Sequence, residues 1–550
     1  MQYMMISREK IRTEEGKKRI YYLSWWIFDT ISKSLVLASK KAGNLNSKDR
    51  RDRFTKQHSN VFSKVVKKLW DILTNFLCEN ICSKSYEGEL ILSQNMAIFV
   101  HDLFGIFDRG LPVDLSEIFI VSCDKNIEKY PEKSEIISLL RLEYLKITAD
   151  HEHWVNLNLP LPLDFSLSSP NSLKILQERH FLAYIYINNS INEIIKYKSS
   201  NVSRYAINNI TLLLSKHDFD FTFNSPHSNH LPKIDKDLNV EEVEDDQNAE
   251  NEEKIENLDS QIPVDKKRKL LASIYSPLLL LWISNWPSTE KWRTSSSKDQ
   301  KREFYISILW LLKNLGIENL RNWWKTENVS YLFIFLKTLQ EAISCFEFDP
   351  KETPSVTNWT HSTKDIFTKM FNSESKSKTP TKFYDRNKNT AFIEEPQSIT
   401  ERTKSQNFQI SLTILNIVEV LINDYNEIFK SDPLPSELFT QVLTTLITFS
   451  KTSQSSQFYS HWFSVLYKFV DSQKKFIFLQ KNKLLNKICK FTLNFCSYRC
   501  DLVRSEAASF MYNLVLVKKK KNHFFRLFYF LFFISIFFFL EKLSIVWKLS

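Results

Sequence analysis

The chain has 550 residues, of which 43% are hydrophobic, and its formal net charge is +11. That hydrophobic content is sufficient for buried cores, so a chain that is disordered throughout is excluded. Only 6 residues are Gly, and neither GxGxxG nor GxxxxGK[ST] occurs, so we discount β-rich folds, Rossmann folds and P-loop NTPases.

Residues 1–57 are predicted to form an aromatic-rich helix, from Tyr21 to about Lys40, followed by a basic linker at 44–57. The first residues carry too many charges for a signal peptide.

Residues 58–223 are predicted to be the first part of a helical array. Its clearest helix carries a stripe of apolar residues three or four apart. The stripe consists of Val61, Val65, Leu69, Ile72, Phe76 and Leu77, and it is widened by Val66, Trp70 and Leu73. Another helix runs through Asn95 to Phe104, and we expect Gly110 and Pro112 to close it.

The tract from Leu139 to Pro160 begins as a helix in which Arg141, Glu143 and Lys146 interrupt the apolar positions. Its second half cannot continue that helix, because proline fixes φ and removes a backbone donor.

Between the two halves lies His151-Glu152-His153-Trp154. A metal site is one interpretation, but histidines two residues apart diverge by about 200° on a helix and do not match the zinc-protease spacing. We favour a helix terminus, where His stabilises the last carbonyls and Trp154 anchors the exit chain. His101-Asp102 invites a general-base interpretation, yet no nucleophile or oxyanion donor is specified, so we favour an ordinary helix position at the core edge.

Two more helices are predicted at about Leu173–Tyr197 and Val202–Lys216, with Asn188, Asn189 and Asn192 on the exposed face. An acidic, disordered linker follows at 224–269, where dense like charges repel and little can be buried. It ends in Lys266-Lys267-Arg268-Lys269, which is either a nuclear signal or, as we favour, a balance to the acidic run.

Three segments follow the acidic linker: a second helical part at 270–348, a polar linker at 349–407 and a third helical part at 408–517. Trp310, Trp323 and Trp324 are either a binding surface or, as we favour, aromatic core between stacked helices. We find no fixed repeat period, which disfavours tetratricopeptide and ankyrin arrays. The predicted fold class is therefore all-α, an irregular armadillo- or HEAT-like α-solenoid with disordered linkers.

The tail at 518–550 differs from the rest. Lys518–Lys521 precede an uncharged run, Leu527–Leu540, that is shorter than the roughly twenty residues a bilayer requires. It is either a tail anchor with basic flanks or an artefact such as read-through into non-coding sequence, and we favour the artefact. Membrane association is expected only if this run is genuine.

The seven Cys residues are scattered, and Cys78/Cys82 and Cys496/Cys500 are each spaced to share a helical face. We interpret them as buried thiols in a reducing compartment, since no His partners them at zinc-finger spacing. We assign no catalytic, cofactor-binding or metal-ligating residue, and no cofactor.

Several tracts occur in an order that resembles the dedicator-of-cytokinesis family, and its zizimin-type members most. They are LLRLEYLKI with HEHWVNLNLP at 139–160, NMAIFVHDLFGIFDRG at 95–110, ILWLLKN with NWW within 304–324, AISCFE at 342–347 and VRSEAAS at 503–509. Pro112 departs from the pattern, as does the acidic linker.

The resemblance implies the central helical section of a guanine-nucleotide exchange factor for Rac- and Cdc42-type GTPases. The likeness stops near Val517, before the exchange domain should begin, so no catalytic residue of the family can be carried over. The Rho-family GTPase would be a partner through that missing domain, other proteins would bind in the helical grooves, and the full-length protein could be a homodimer. The expected location is cytoplasmic. A free-standing helical adaptor and a tail-anchored membrane protein are the alternatives.

Overall fold

The computed structural model describes most of the helical parts of the chain. The described residues are 13–47, 53–81, 86–151, 154–155, 157–159, 161–162, 165, 167, 171–197, 200–219, 264–326, 329–346, 396–428, 436–473, 477, 483–498 and 500–519. Two compact units are formed, Met1–Gly316 and Ile317–Ser550. No β-strand occurs within the described ranges, and the predicted all-α fold is confirmed.

The described part of the first unit is built from α-helices. Its helices are α1 (Glu14–Lys41), α2 (Lys56–Asn80), α3 (Glu87–Ile106), α4 (Gly110–Lys129), α5 (Ser134–Ala149), α6 (Ser172–Arg179), α7 (Phe181–Tyr197), α8 (Asn201–Phe219), α9 (Val264–Ile274), α10 (Pro277–Ser284) and α11 (Lys298–Leu315). Side-chain caps start several of them; Thr13 accepts from the backbone N–H of Gly16, and Ser297 forms a capping box with Gln300.

The helices of this unit stack in two rows. In the first row α1 packs on α3, α3 on α5, α5 on α8 and α8 on α11. In the second row α2 packs on α4, and further along α7 packs on α10. Contacts also run between the rows, since α7 packs on α8 and α4 on α5, so the helices form a continuous stack as in an irregular α-solenoid.

Two glycines are used where a side chain would not fit. A Cβ at Gly88 would overlap the ring of Tyr21, so the absence of a side chain lets α1 approach α3 closely. Tyr21 then donates a hydrogen bond to Glu89 over 2.9 Å. Gly316 has φ +83°, a conformation that other residues rarely adopt, and it ends α11.

Most of the predicted apolar stripe of α2 is not its buried face. The structure buries Val66, Trp70 and Leu77, whereas Val61 and Ile72 are more than half exposed. Both sides of α2 are apolar, so periodicity alone does not identify the covered one. Two of the three widening residues, Val66 and Trp70, are thus core residues, and of the stripe itself only Leu77 is fully buried.

Gly110 and Pro112 do not close the helix that precedes them. α3 ends at Ile106, and Gly110 begins α4 with Pro112 in its first turn, where a missing N–H is harmless. The expected exposure of the asparagines in α7 is also wrong for Asn189, which is buried and donates to the carbonyl of Ile185.

The second unit is stacked in the same alternating manner. Its helices are α12 (Ile317–Thr326), α13 (Val329–Cys345), α14 (Pro396–Ile428), α15 (Ser436–Lys451), α16 (Ser456–Ser472), α17 (Lys483–Cys496) and α18 (Asp501–Lys519). α13 packs on α15, and α14 packs on α16, which packs on α18. Arg321 of α12 donates to Asp424 of α14 over 2.6 Å.

The predicted division into helical parts at 58–223, 270–348 and 408–517 stays a prediction. The 349–407 linker lies outside the described residues as far as residue 395, and the tail does so from residue 520 onward. Within the described ranges, no helix is both long and apolar enough to span a bilayer.

Candidate functional site

The histidine cluster after α5 was the first candidate site. α5 ends at Ala149, and His151 is 5% exposed, with its ring edge-on to His101 at a centroid distance of 4.7 Å. Trp154 is buried against Phe104, 6.5 Å between ring centroids. These contacts support a helix terminus with an anchored exit chain.

Half of that cluster, Glu152 and His153, lies outside the described residues, so its predicted lack of a metal stays a prediction. Among the residues that the structure describes, no group of three or more His, Cys, Asp and Glu could hold a metal ion. His101 and Asp102 approach to 3.7 Å, which is too long for a hydrogen bond. The pair lies at the rim of the His151 cluster rather than in a cleft with a nucleophile.

The most concentrated buried charge lies elsewhere, between α4, α5 and α7. Arg141 has a side chain that is 5% exposed, and its guanidinium pairs with Asp124 of α4 and with Glu193 of α7. Burial alone would lower the pKa of Arg141, but the two carboxylates outweigh it and raise the pKa. Arg141 therefore remains charged and ties three helices together.

Sequence reasoning missed this cluster, since it treated Arg141 only as an interruption of an apolar pattern. Glu193 is 52 residues away in the chain and has a side chain that is 1% exposed. No local pattern joins the two. We interpret the arrangement as structural, because the charges of three helices neutralise each other.

The basic tetrapeptide Lys266–Lys269 begins α9, and two of its members hold α8. Arg268 pairs with Asp218 through its Nε at 2.8 Å, and Lys267 donates to the carbonyl of the same residue over 3.0 Å. Asp218 has a side chain that is 3% exposed. This engagement in the fold weighs against a nuclear signal, which needs free cations.

The structure shows a cysteine contact that helical spacing did not indicate, while Cys82 lies outside the described residues. Cys78 of α2 interacts with Cys123 of α4, and both are buried. Burial raises the pKa of the Cys123 thiol, as does the neighbouring Cys78. Cys496 is the last residue of α17, whereas Cys500 precedes α18, so they share no helix.

The tryptophans singled out in the sequence are core residues. Trp310, Trp323 and Trp324 are 9%, 2% and 2% exposed. Trp323 packs edge-on against Phe335 of α13 at 5.3 Å. The interpretation as aromatic core, and not as a binding surface, is confirmed.

Comparison with known proteins finds similarity to one family. The family model described as "DOCK6-11, TPR domain" matches residues 3–149, a range that ends at the last residue of α5. Dedicator of cytokinesis protein 8 of Homo sapiens is 22% identical over 92% of this chain, and dedicator of cytokinesis protein 7 of Homo sapiens is 23% identical over 60%. The chain is therefore similar to the dedicator-of-cytokinesis family. The likeness is to its zizimin-type members, and the matched part is their central helical region.

The chain spans only part of these relatives: 27% of the length of dedicator of cytokinesis protein 8 and 17% of the length of protein 7. Dedicator of cytokinesis protein 9 of Mus musculus is 25% identical over 37% of this chain. No solved structure matches.

The description of the family model names tetratricopeptide repeats, which the sequence interpretation disfavoured. The helices of the matched range vary from 28 residues in α1 to 16 in α5. A tetratricopeptide unit fits two helices into about 34 residues. Helices of such unequal length leave no constant period in the sequence of this chain.

Proposed function

We propose that this chain is the scaffold section of a guanine-nucleotide exchange factor for Rho-family small GTPases of the Rac and Cdc42 type. The observation that carries the proposal is the match of α1–α5 to the helical region of this family. The two-row stack supports it, since such a stack gives long, rigid surfaces that position other domains.

The described residues also favour a scaffold rather than a reaction centre. The strongest buried charges, around Arg141, are paired between helices. The histidines that sequence analysis raised contact aromatic side chains. The exchange step is therefore proposed to belong to a domain outside this chain, and the GTPase, the cytoplasmic location and the protein partners in the grooves are part of the same proposal.

The test compares two polypeptides in a fluorescent-nucleotide release assay with Rac and Cdc42. The purified chain is expected to leave the intrinsic release rate unchanged. The transcript, sequenced across Lys518–Asn522, is expected to continue into an exchange domain, and its longer product is expected to accelerate release. Acceleration by the chain alone contradicts the proposal, and a transcript that stops after Ser550 favours a free-standing helical adaptor.

A further inference from the structure

Three large aromatic side chains of α1 point away from the unit. Tyr22, Trp25 and Trp26 are 50%, 56% and 57% exposed. Tyr21 and Phe28 are buried together with Ser24 and Ser32 on the side that packs on α3. α1 thus has a second aromatic side, which lies in solvent, in addition to its buried one.

Lysines share this side of the helix. Lys18, Lys33 and Lys40 fall at helical spacing with the aromatic residues, and we call the set Lys18, Tyr22, Trp25, Trp26, Lys33 and Lys40 the outer face of α1. Lys33 pairs with Asp29 at 2.7 Å. Lys18 and Lys40 are exposed and form no ion pair with the described part of the chain.

α2 adds to the same end of the stack. α1 and α2 are the first helices of their rows, so the side of each that faces away from its row is uncovered by the described helices. On α2 that side exposes Val61 and Ile72, 60% and 54%, with Lys64 and Lys68 beside them. The exposed side of α2 therefore has a similar apolar and basic character.

We propose that the outer face of α1 binds the surface of an anionic lipid bilayer. Tyr and Trp rings have an apolar body and a polar tip, which suits the level of the lipid headgroups. Lysines at the rim of such a face are attracted to anionic headgroups. A dry contact with another helix would leave the indole N–H groups in need of acceptors, which headgroups and water supply.

A lipid surface is the partner that the outer face of α1 fits, because this face combines exposed aromatic rings with unpaired cations. The helix carries six basic and three acidic residues, and all three acids, Glu14, Glu15 and Asp29, are paired with Lys17, Arg19 and Lys33. The inference goes beyond the proposed exchange-factor role and stands without it.

The test is sedimentation of the full chain with phosphatidylcholine vesicles that contain or lack phosphatidylserine. Wild type is expected to bind the anionic vesicles and to lose that binding in high salt. Lys18→Ala/Lys40→Ala should weaken binding about 25-fold, since each lysine near the surface contributes about fivefold. Trp25→Ser/Trp26→Ser should weaken it at least about tenfold, because two half-exposed indoles no longer enter the interface.

Matched controls use exposed residues of the second unit. Tyr467→Ser/Tyr512→Ser removes aromatic rings that are 44% and 58% exposed, and Lys487→Ala/Lys490→Ala removes the same charge as the lysine variant. Both controls should bind like wild type, and circular dichroism should show the same helix content in every variant.

The full chain also contains Leu527–Leu540, so the differences between variants decide the result. Equal binding by wild type and both outer-face variants overturns the proposal. Equal binding to neutral and anionic vesicles overturns it too. A dimer in light scattering that Trp25→Ser/Trp26→Ser abolishes, without vesicle binding, assigns the face to a second copy of the chain instead.

Discussion

Replacement of Arg141 by Met is expected to destabilise the first unit severely. The substitution keeps most of the side-chain volume and removes the charge that neutralises Glu193. Asp124 has a side chain that is 57% exposed, so water can solvate it, but Glu193 is 1% exposed and would be left as a buried charge without a partner. Breaking a buried pair in this way costs about 3–5 kcal/mol.

A matched control is the exposed pair between Arg19 and Glu15, whose side chains are 68% and 75% exposed. Arg19→Met should change the free energy of unfolding by about 1 kcal/mol or less, because solvent screens both charges. The structure thus predicts a difference of at least about 2 kcal/mol between two Arg→Met substitutions in one unit.

Urea denaturation followed by circular dichroism measures both variants. Adding Glu193→Leu to Arg141→Met should recover most of the lost stability, since the uncompensated buried charge is then removed. The reasoning is refuted if Arg141→Met and Arg19→Met have the same effect, or if the double variant is no more stable than Arg141→Met.

Three further predictions concern single side chains. Burial lowers the pKa of His180 to about 4, so the folded state favours the neutral imidazole. The stabilisation should be complete above about pH 6.5, and the free energy of unfolding should fall by about 3 kcal/mol as the pH drops towards 4. A His180→Gln variant with the same dependence of stability on acid pH would contradict this. Cys78 and Cys123 are buried and should resist alkylation until urea is added, whereas partly exposed Cys500 should react at once. Peptide mass spectrometry measures the labelling, and equal labelling of all three would count against the packing of α2 on α4. Trp282 is fully buried against Trp292 and Phe304, so Trp282→Ala should lower the free energy of unfolding by about 3–5 kcal/mol, measured by thermal or urea denaturation. A loss of stability smaller than that of the exposed control Trp25→Ala would be inconsistent with the structure.

Helical spacing and scarce glycine were enough to predict an all-α chain and a buried role for Trp323 and Trp324. They were not enough to orient α2, because that helix is apolar on both sides and its neighbours decide that Trp70 is covered, by Phe28 of α1 and Phe99 of α3, while Val61 is not. Local periodicity describes one helix at a time, whereas burial depends on its neighbours.

The sequence could not predict the polar contacts, because they too depend on which helices become neighbours. Arg141 meets Glu193 and Cys78 meets Cys123 through the packing of different helices, while spacing within one helix had paired Cys78 with Cys82. The family resemblance was predictable because short tracts such as Asp108-Arg109-Gly110 survive in order, and that signal does not require knowledge of any contact.

The ion pair between Asp218 and Arg268 has a consequence for the evolution of the chain. It holds the end of α8 beside the start of α9, so whatever lies between Phe219 and Val264 leaves and returns at one place. Doubling the length of such an excursion costs only about 0.6 kcal/mol in closure entropy. Insertions and deletions there should accumulate freely among orthologues, and a protease cut within it should leave two fragments that still migrate together under native conditions.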